Sequence, residues 1–549
     1  MARHVGVGVE AQHSVSLGQL GGELLAIPLG QAAHGNHLLG PSRDLELRSL
    51  EQSVDGVLLG LLNEAAGIDH RYIGLGSIID QQPALGGQTS SQLLGVDLVA
   101  CAPQSDQRHT PAAARSGRGR GGHISIVGGL RLNNRMPDLV ADTIAPDTLA
   151  RVTELMRRYP LIDGHNDLPW EARQQTGYDF DRLDLSKRLG TTHTDLPRLR
   201  AGGVGAQFWS VWVPSTLPDG EAVIATLEQI DAVHQMVARY GDQLGVARTA
   251  DELQAVFGSG RIASLMGAEG GHSIGCSMAV LRMLHTLGVR YLTLTHNDNV
   301  PWADSATDVP RCDGLSTFGV EVVREMNRIG MLVDLSHVSA DTMRDALRVS
   351  AVPVMFSHSS ARFICDMTRN VPDDVLTILG DKGGICMVTF VPDFVSPAAG
   401  QWRKEAAAAA VAAGVQPNDH IAFDVFTRTY RKRHAKPTAT IAQVVAHIEH
   451  VREVAGVDHV GIGGDYDGTE DLPVGLEDVS GYPRLFVALA DNGWSEKDLV
   501  KLAGGNILRV MRDAEAGARD LQTTRGPSLA TYEQLDGTPA RGRAARPGV

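Results

Sequence analysis

The stretch YPLIDGHND, residues 159–167, sets a short apolar run (Leu161, Ile162) directly against a polar end, His165 and Asp167. Seven further runs share this form: GAQFWSVWV (205–213), IASLMGAEG (262–270), VRYLTLTHND (289–298), GMLVDLSH (330–337), VPVMFSHSS (352–360), GGICMVTF (383–390) and HVGIGGDYD (459–467). Between most of them lie segments with apolar residues at helical spacing, such as EAVIATLEQIDAVHQMVARY (221–240) and DDVLTILGDKG (373–383). Strands alternating with helices imply βαβ units and a parallel sheet. Eight such runs between Met136 and Arg512 predict an α/β fold, a (β/α)8 TIM barrel with insertions.

Outside this region the chain changes character. Residues 1–135 hold no Lys, Phe or Trp, and Tyr72 is their single aromatic. Large aromatics carry much of a core's burial, and SGRGRGG (116–122) is a low-complexity run. Residues 1–135 are therefore expected to be a poorly ordered extension or an over-extended start. The barrel domain is expected over 136–516, with a flexible tail at 517–549. The longest insertion is expected at 391–438, with an Ala-rich helix (WRKEAAAAAVAA, 402–413) and a basic patch, TYRKRHAK (429–436), read as a solvated helix face.

Composition narrows the function. Hydrophobic residues make up 43% and charged residues 21%, as in soluble globular proteins, and the net charge of -14 argues against general nucleic-acid binding. No run of 18 apolar residues exists, so no membrane-spanning helix is expected. Five cysteines without a C-x-x-C pair favour a reducing compartment, and the expected location is cytoplasmic.

In a parallel barrel the C-terminal strand ends open onto the active face. Here those ends carry His165 and Asp167, then Glu269, His296, His337, His358 and Asp465. Seven titratable groups from six strands, all at one end, are hard to explain by packing. Positions i and i+2 of a strand point the same way, with Cα atoms roughly 6.5–7 Å apart. His165 and Asp167 can therefore converge on one ion, while Asn166 points away and ties down the neighbouring loop. Histidines combined with Asp and Glu suit zinc better than the all-oxygen sites of calcium or magnesium. Five ligand candidates suit two ions sharing a carboxylate, about 3.5–4 Å apart. Glu269 sits mid-series and is the expected bridge. His193, His234, His272, His285, His447, His450 and His459 are read as structural. Asp163 is read as a turn cap, and Asp467 competes with Asp465 for one role.

The motifs DGHNDLPW, MGAEGG, YLTLTHND with NVPWAD, VDLSHVS, MFSHSSAR, TRNVPDDVL and GIGGDYDG, in that order over about residues 150–512, resemble the membrane (renal) dipeptidase family of binuclear zinc peptidases. The resemblance implies a barrel of the metal-dependent hydrolase (amidohydrolase-like) type. It implies that His165 and Asp167 hold one zinc, His337 and His358 the other, and that Glu269 bridges them. It further implies that His296 stabilises the charge on the substrate carbonyl oxygen, that Arg369 binds the free carboxylate of a dipeptide, and that Asp465 acts as general base and acid. The expected partner is a small dipeptide, L-L or L-D, and a homodimer follows by analogy. The alternatives are an N-acyl-amino-acid deacylase or another amidohydrolase on the same barrel, and a non-catalytic metal-binding protein. The secretion signal, lipid anchor and disulfides of vertebrate members have no counterpart among the features read here.

Overall fold

The computed structural model describes residues 146–417 and 419–537. The expectations for residues 1–135 and 538–549 lie outside the described residues. Among the described residues nine strands are present: β1 (Leu161–Asn166), β2 (Val204–Ser210), β3 (Leu244–Val246), β4 (Ile262–Glu269), β5 (Val289–Thr293), β6 (Leu332–Asp334), β7 (Met355–Phe356), β8 (Ile385–Val388) and β9 (Val460–Ile462). Parallel pairing runs β1-β2-β4-β5-β6-β7-β8-β9, and β9 pairs back with β1, so eight strands close a (β/α)8 barrel. These eight are the eight apolar runs.

The ninth, β3, pairs with the first residues of β4 (Leu244 with Ile262, Val246 with Ser264). β5 takes the later residues of that strand, from Met266 to Glu269. One edge of β4 is thus divided between two partners. Three residues, LGV, are too few to show a period, which is why this strand is not legible in the sequence.

Helices cover the outside, so the strands are buried on both faces, and β1, β2 and β4 are buried along their whole length. Ile162, Ala206, Phe208, Leu265, Tyr291, Met355 and Met387 form one inner cluster, joined by Ile507, Val510 and Met511 of the last long helix, Asn506–Thr524. Gly504 lies against the start of β1: a Cβ there would stand 2.4 Å from the Pro160 carbonyl oxygen.

Between β8 and β9 lie helices Pro392–Val395, Pro397–Ala412 and His420–Arg431, with their own small core of Trp402, Ala406, Ala410 and Phe423. The basic patch here is more than a solvated face. Arg431 pairs with Asp471, and Lys436 pairs with Asp393 at 2.8 Å and Asp471 at 3.2 Å, while Arg428, just before the patch, pairs with Glu470 at 2.6 Å. It fastens the insertion to the loop after β9.

The tail expectation is corrected for residues 517–537. Helix Asn506–Thr524 runs through this point with Ala518 buried, and a short helix, Tyr532–Asp536, follows. Ser528 is buried and bonds Glu321 and Glu325 of helix Thr317–Ile329. Polar composition concealed this because the contacts are hydrogen bonds and ion pairs rather than an apolar stripe.

Candidate metal centre and active site

The predicted residues meet at the C-terminal mouth of the barrel. His165 is the penultimate residue of β1, a fully buried strand. Asp167 has already left that strand: it occupies the N-cap position of helix Leu168–Thr176, at φ −97°. Its carboxylate still reaches 3.2 Å from His165 Nε2. The convergence is as expected, but a strand-to-helix turn achieves it rather than strand alternation alone. Asn166 points away and donates to Thr194 Oγ1 at 2.8 Å.

Glu269 ends β4 and divides its two oxygens. Oε2 lies 3.3 Å from His165 Nε2, while Oε1 lies 3.0 Å from His337 Nε2 and 3.4 Å from His358 Nε2. The two Nε2 atoms of His337 and His358 face each other at 3.0 Å. Two imidazole lone pairs at that separation repel unless a proton or cation lies between them. His165 Nε2 is buried and makes no hydrogen bond. The ligand atoms fall into three overlapping groups, each within 4.8 Å: His165, Asp167 and Glu269; Glu269, His337 and His358; and His165, His358 and Asp465. Nitrogen and carboxylate donors converging in this way fit metal ions of the zinc type.

Electrostatics agree. Burial, with Arg369 and neighbouring imidazoles adding to it, holds His337 and His358 well below the ordinary histidine range, so both are neutral and ready to ligate. Burial opposes a charge on His165, but Tyr291, Glu269 and Asp167 outweigh it and hold that ring well above its usual value. Asp465 is pushed up to about 7 by burial and by the carboxylates of Asp167 and Glu269.

The supporting contacts set the ring tautomers. Tyr291 Oη lies 2.8 Å from His165 Nδ1 and donates to the Gly164 carbonyl at 3.2 Å. Its own proton is thus engaged, so His165 Nδ1–H donates to it and Nε2 keeps its lone pair. Ser357 Oγ stands 2.8 Å from His358 Nδ1 and donates to Asp334 Oδ2 at 2.6 Å, which in the same way leaves His358 Nε2 bare. Asp163 accepts the His165 and Gly464 backbone N–H groups and the Tyr482 hydroxyl, and so pins the ends of β1 and β9 together. It is fully buried and does more than cap a turn.

None of Tyr291, Ser357, Asp334 or Tyr482 was singled out from the sequence. The available signal was a polar residue inside an apolar strand run, as in VDLSH and MFSHSS. Gly267 also escaped notice. A Cβ at that position would stand 1.9 Å from the Tyr291 ring, so the glycine makes room for it.

His296 follows β5, with Nε2 3.8 Å from Glu269 Oε1 and its ring 4.3 Å from that of His337 and 5.3 Å from that of Trp212. Arg369 lies in the loop after β7 and is buried, its guanidinium over the Phe394 ring at 5.2 Å. Nη1 reaches Ser359 Oγ at 3.4 Å and Nη2 has no partner. Burial lowers its pKa to about 10, and it remains a cation. Among the described residues no carboxylate lies within 4.0 Å of it, so it is not an ordinary surface ion pair.

Asp465 and Asp467 take opposite directions. Both adopt left-handed backbone, at φ 60° and 65°, beyond the end of β9 at Ile462. Asp465 joins His165 and His358. Asp467 Oδ1 accepts the His193 backbone N–H at 2.5 Å, and its own N–H donates to His193 Nδ1 at 3.0 Å. The two aspartates share no strand face, because the chain has already turned past Ile462. Gly468 sits under both Asp167 and Asp465: a Cβ there would approach their carboxylate oxygens to 2.3 and 2.4 Å.

Comparison with known proteins follows this geometry. The sequence profile of "Membrane dipeptidase (Peptidase family M19)" matches residues 149–525. The chain is 40% identical over 391 residues to Dipeptidase verJ of Clonostachys rogersoniana, covering 69% of this chain and 90% of the relative. Among solved structures it superposes on the probable dipeptidase PvdM from Pseudomonas aeruginosa with a TM-score of 0.61 at 22% identity, covering 68% and 99% of the two chains. A metallo peptidase from Rhodobacter sphaeroides, liganded with a phosphinate mimic of the dipeptide L-Ala-D-Ala, superposes with a TM-score of 0.54 at 23% identity, covering 65% and 99%.

Proposed function

Because this chain belongs to the membrane dipeptidase family, peptidase family M19, and is thereby a metallo-dipeptidase, we propose that it is a zinc-dependent enzyme that hydrolyses L-L or L-D dipeptides with two zinc ions per chain. The observation that carries this reading is the division of Glu269 between His165 on one side and His337 and His358 on the other. His165 and Asp167 would hold one ion and His337 and His358 the second, with Glu269 available to both. Bound there, zinc would supply Lewis acidity that lowers the pKa of water to near neutrality.

The remaining roles belong to the chain's own side chains. Asp465 accepts a proton from the attacking water and passes it to the nitrogen of the leaving amine. The water oxygen forms the new bond to the carbonyl carbon, and the C–N bond breaks. His296 stands beside the carbonyl oxygen and offsets the charge that develops on it. Arg369 presents a planar fork to the free carboxylate. An extension beyond the C-terminal residue would place a neutral amide against that buried cation, so Arg369 confines cleavage to the last peptide bond of the substrate.

The deciding experiment is a hydrolysis panel of L-Ala-L-Ala, L-Ala-D-Ala, a tripeptide and N-acetyl-D-alanine, with and without a chelator. Hydrolysis of dipeptides alone, abolished by chelation and restored by zinc, supports the reading. Preference for the N-acetyl compound makes the enzyme a deacylase on the same barrel. Elemental analysis is expected to find two zinc ions per chain. A homodimer in the cytoplasm belongs to the same reading. The unpaired cysteines Cys276, Cys312, Cys365 and Cys386 support that location, and sedimentation velocity tests the dimer. Among the described residues no helix is long and apolar enough to cross a membrane.

A further inference from the structure

The loop between β5 and helix Thr317–Ile329 begins at the strand end that carries His296, and it is tied at several points. Ser305 Oγ donates to the His296 carbonyl at 2.7 Å, and the Ala306 N–H donates to the His337 carbonyl at 2.7 Å. The Asp304 carboxylate gathers the N–H groups of Arg311, Cys312 and Gly314 at 2.8–3.1 Å. Trp302, fully buried, packs near Phe318, and a Cβ at Gly271, two residues after Glu269, would stand 2.5 Å from its ring. The Ser316 N–H returns to the Trp302 carbonyl at 3.0 Å.

The far end of this loop is held from outside. Asp536 accepts the N–H groups of Thr317 and Phe318 at 3.1 and 3.0 Å and the Ser316 hydroxyl. Those two N–H groups open a helix and have no partner within it, and a carboxylate there also meets the positive end of the helix dipole. Tyr532 donates to the Pro301 carbonyl at 3.4 Å and sets its ring 5.7 Å from Phe318. Ser528 and Arg525 anchor the same segment on Glu321 and Glu325. Residues 526–537 lie beyond the stretch that the family profile matches, which ends at 525.

We propose that the segment 526–537 is a positioning strap for His296, acting through Asp536 and Tyr532 on the loop that His296 begins. It contributes no atom to the reaction. By fixing Pro301 and the 316–318 end of the 297–316 loop it holds the imidazole where the carbonyl oxygen develops charge, and it thereby rests on the reading of His296 given above. A displacement of about 1 Å at such a group can cost up to 10²-fold in rate.

The test uses the full zinc-loaded chain and L-Ala-L-Ala. Asp536→Ala is expected to lower kcat about tenfold with KM and zinc content close to wild type, and Asp536→Asn, which keeps one acceptor oxygen, to recover part of the loss. In a His296→Ala background the same change is expected to do nothing further, because the positioned group is gone. An unchanged kcat overturns the proposal, and so do losses that multiply in the double variant, since those mark a merely structural strap. If Asp536→Ala does not fold, Tyr532→Phe is read in the same two backgrounds. If the wild type hydrolyses no dipeptide, or His296→Ala keeps its kcat, the reading of His296 fails. The strap is then judged by hydrogen exchange alone: faster exchange of the 297–316 amides in Asp536→Ala is expected, and unchanged exchange overturns it.

Discussion

At Glu269 the two carboxylate oxygens face different partners, one toward His165 and the other toward His337 and His358. Around it the neutral rings of His337 and His358 offer lone pairs, and Asp465 keeps a carboxylate with an affinity for protons near neutrality. Asp465→Asn retains the shape and tolerates φ 60°, since asparagine enters the left-handed region readily. The variant is expected to bind zinc as wild type does and to lose about 10²–10⁴ in kcat. Steady-state rates with metal analysis check this, and retained turnover removes Asp465 from the proton path. Arg369 has a buried guanidinium with one nitrogen unpartnered. Arg369→Ala is expected to raise KM for dipeptides about tenfold or more while kcat moves little, because a remote carboxylate contact acts on ground state and transition state alike. An unaltered KM takes Arg369 out of the site.

Among the elements, β4 and β5 show how packing sets chemistry. Gly267 on β4 leaves room for the ring of Tyr291 on β5, and that ring carries its hydroxyl to His165 Nδ1 on β1. Gly267→Ala forces the two strands or the ring apart. Overpacking of this kind costs about 1–3 kcal/mol, and losing the partner of a ligating histidine costs about 10–100-fold in metal affinity. Both are expected together. Thermal melts and competition titration with a zinc chelator measure them, and a variant that melts and binds zinc like wild type would falsify the link from Gly267 to His165. The motif MGAEGG shows its glutamate in the sequence, but its first glycine acquires meaning only from the facing strand.

For the molecule as a whole, the metal centre closes the barrel's polar mouth. Three buried carboxylates, Asp167, Glu269 and Asp465, crowd together there, with the Arg369 guanidinium as the nearby fixed positive group. Metal bound only by the folded state stabilises it by RT ln(1 + [L]/Kd), about 2.7 kcal/mol at one hundred times Kd for a single site. For a domain of this size each kcal/mol moves the melting temperature by about 1–2 °C. Chelation is therefore expected to lower the melting temperature by on the order of 3–5 °C per site, and added zinc to restore it in a concentration-dependent way. Calorimetry that finds the two melting temperatures equal shows that these side chains do not grip the metal in the folded state.

Hydrophobic runs and their polar ends were enough, by themselves, to determine a barrel of eight parallel strands and the set of side chains gathered at its mouth. Both follow from local rules: apolar runs bury, and parallel strands all end on the same side. Tertiary structure alone decided that Asp465 turns to the cluster while Asp467 turns to His193, since both lie past the strand in left-handed backbone. It decided that Asp167 reaches His165 from a helix start, that Tyr291 and Ser357 set the ring tautomers, and that residues 517–537 pack instead of trailing. These outcomes depend on hydrogen bonds between residues up to hundreds of positions apart. A hydrogen bond needs both partners placed in space, and spacing along one chain specifies only one of them.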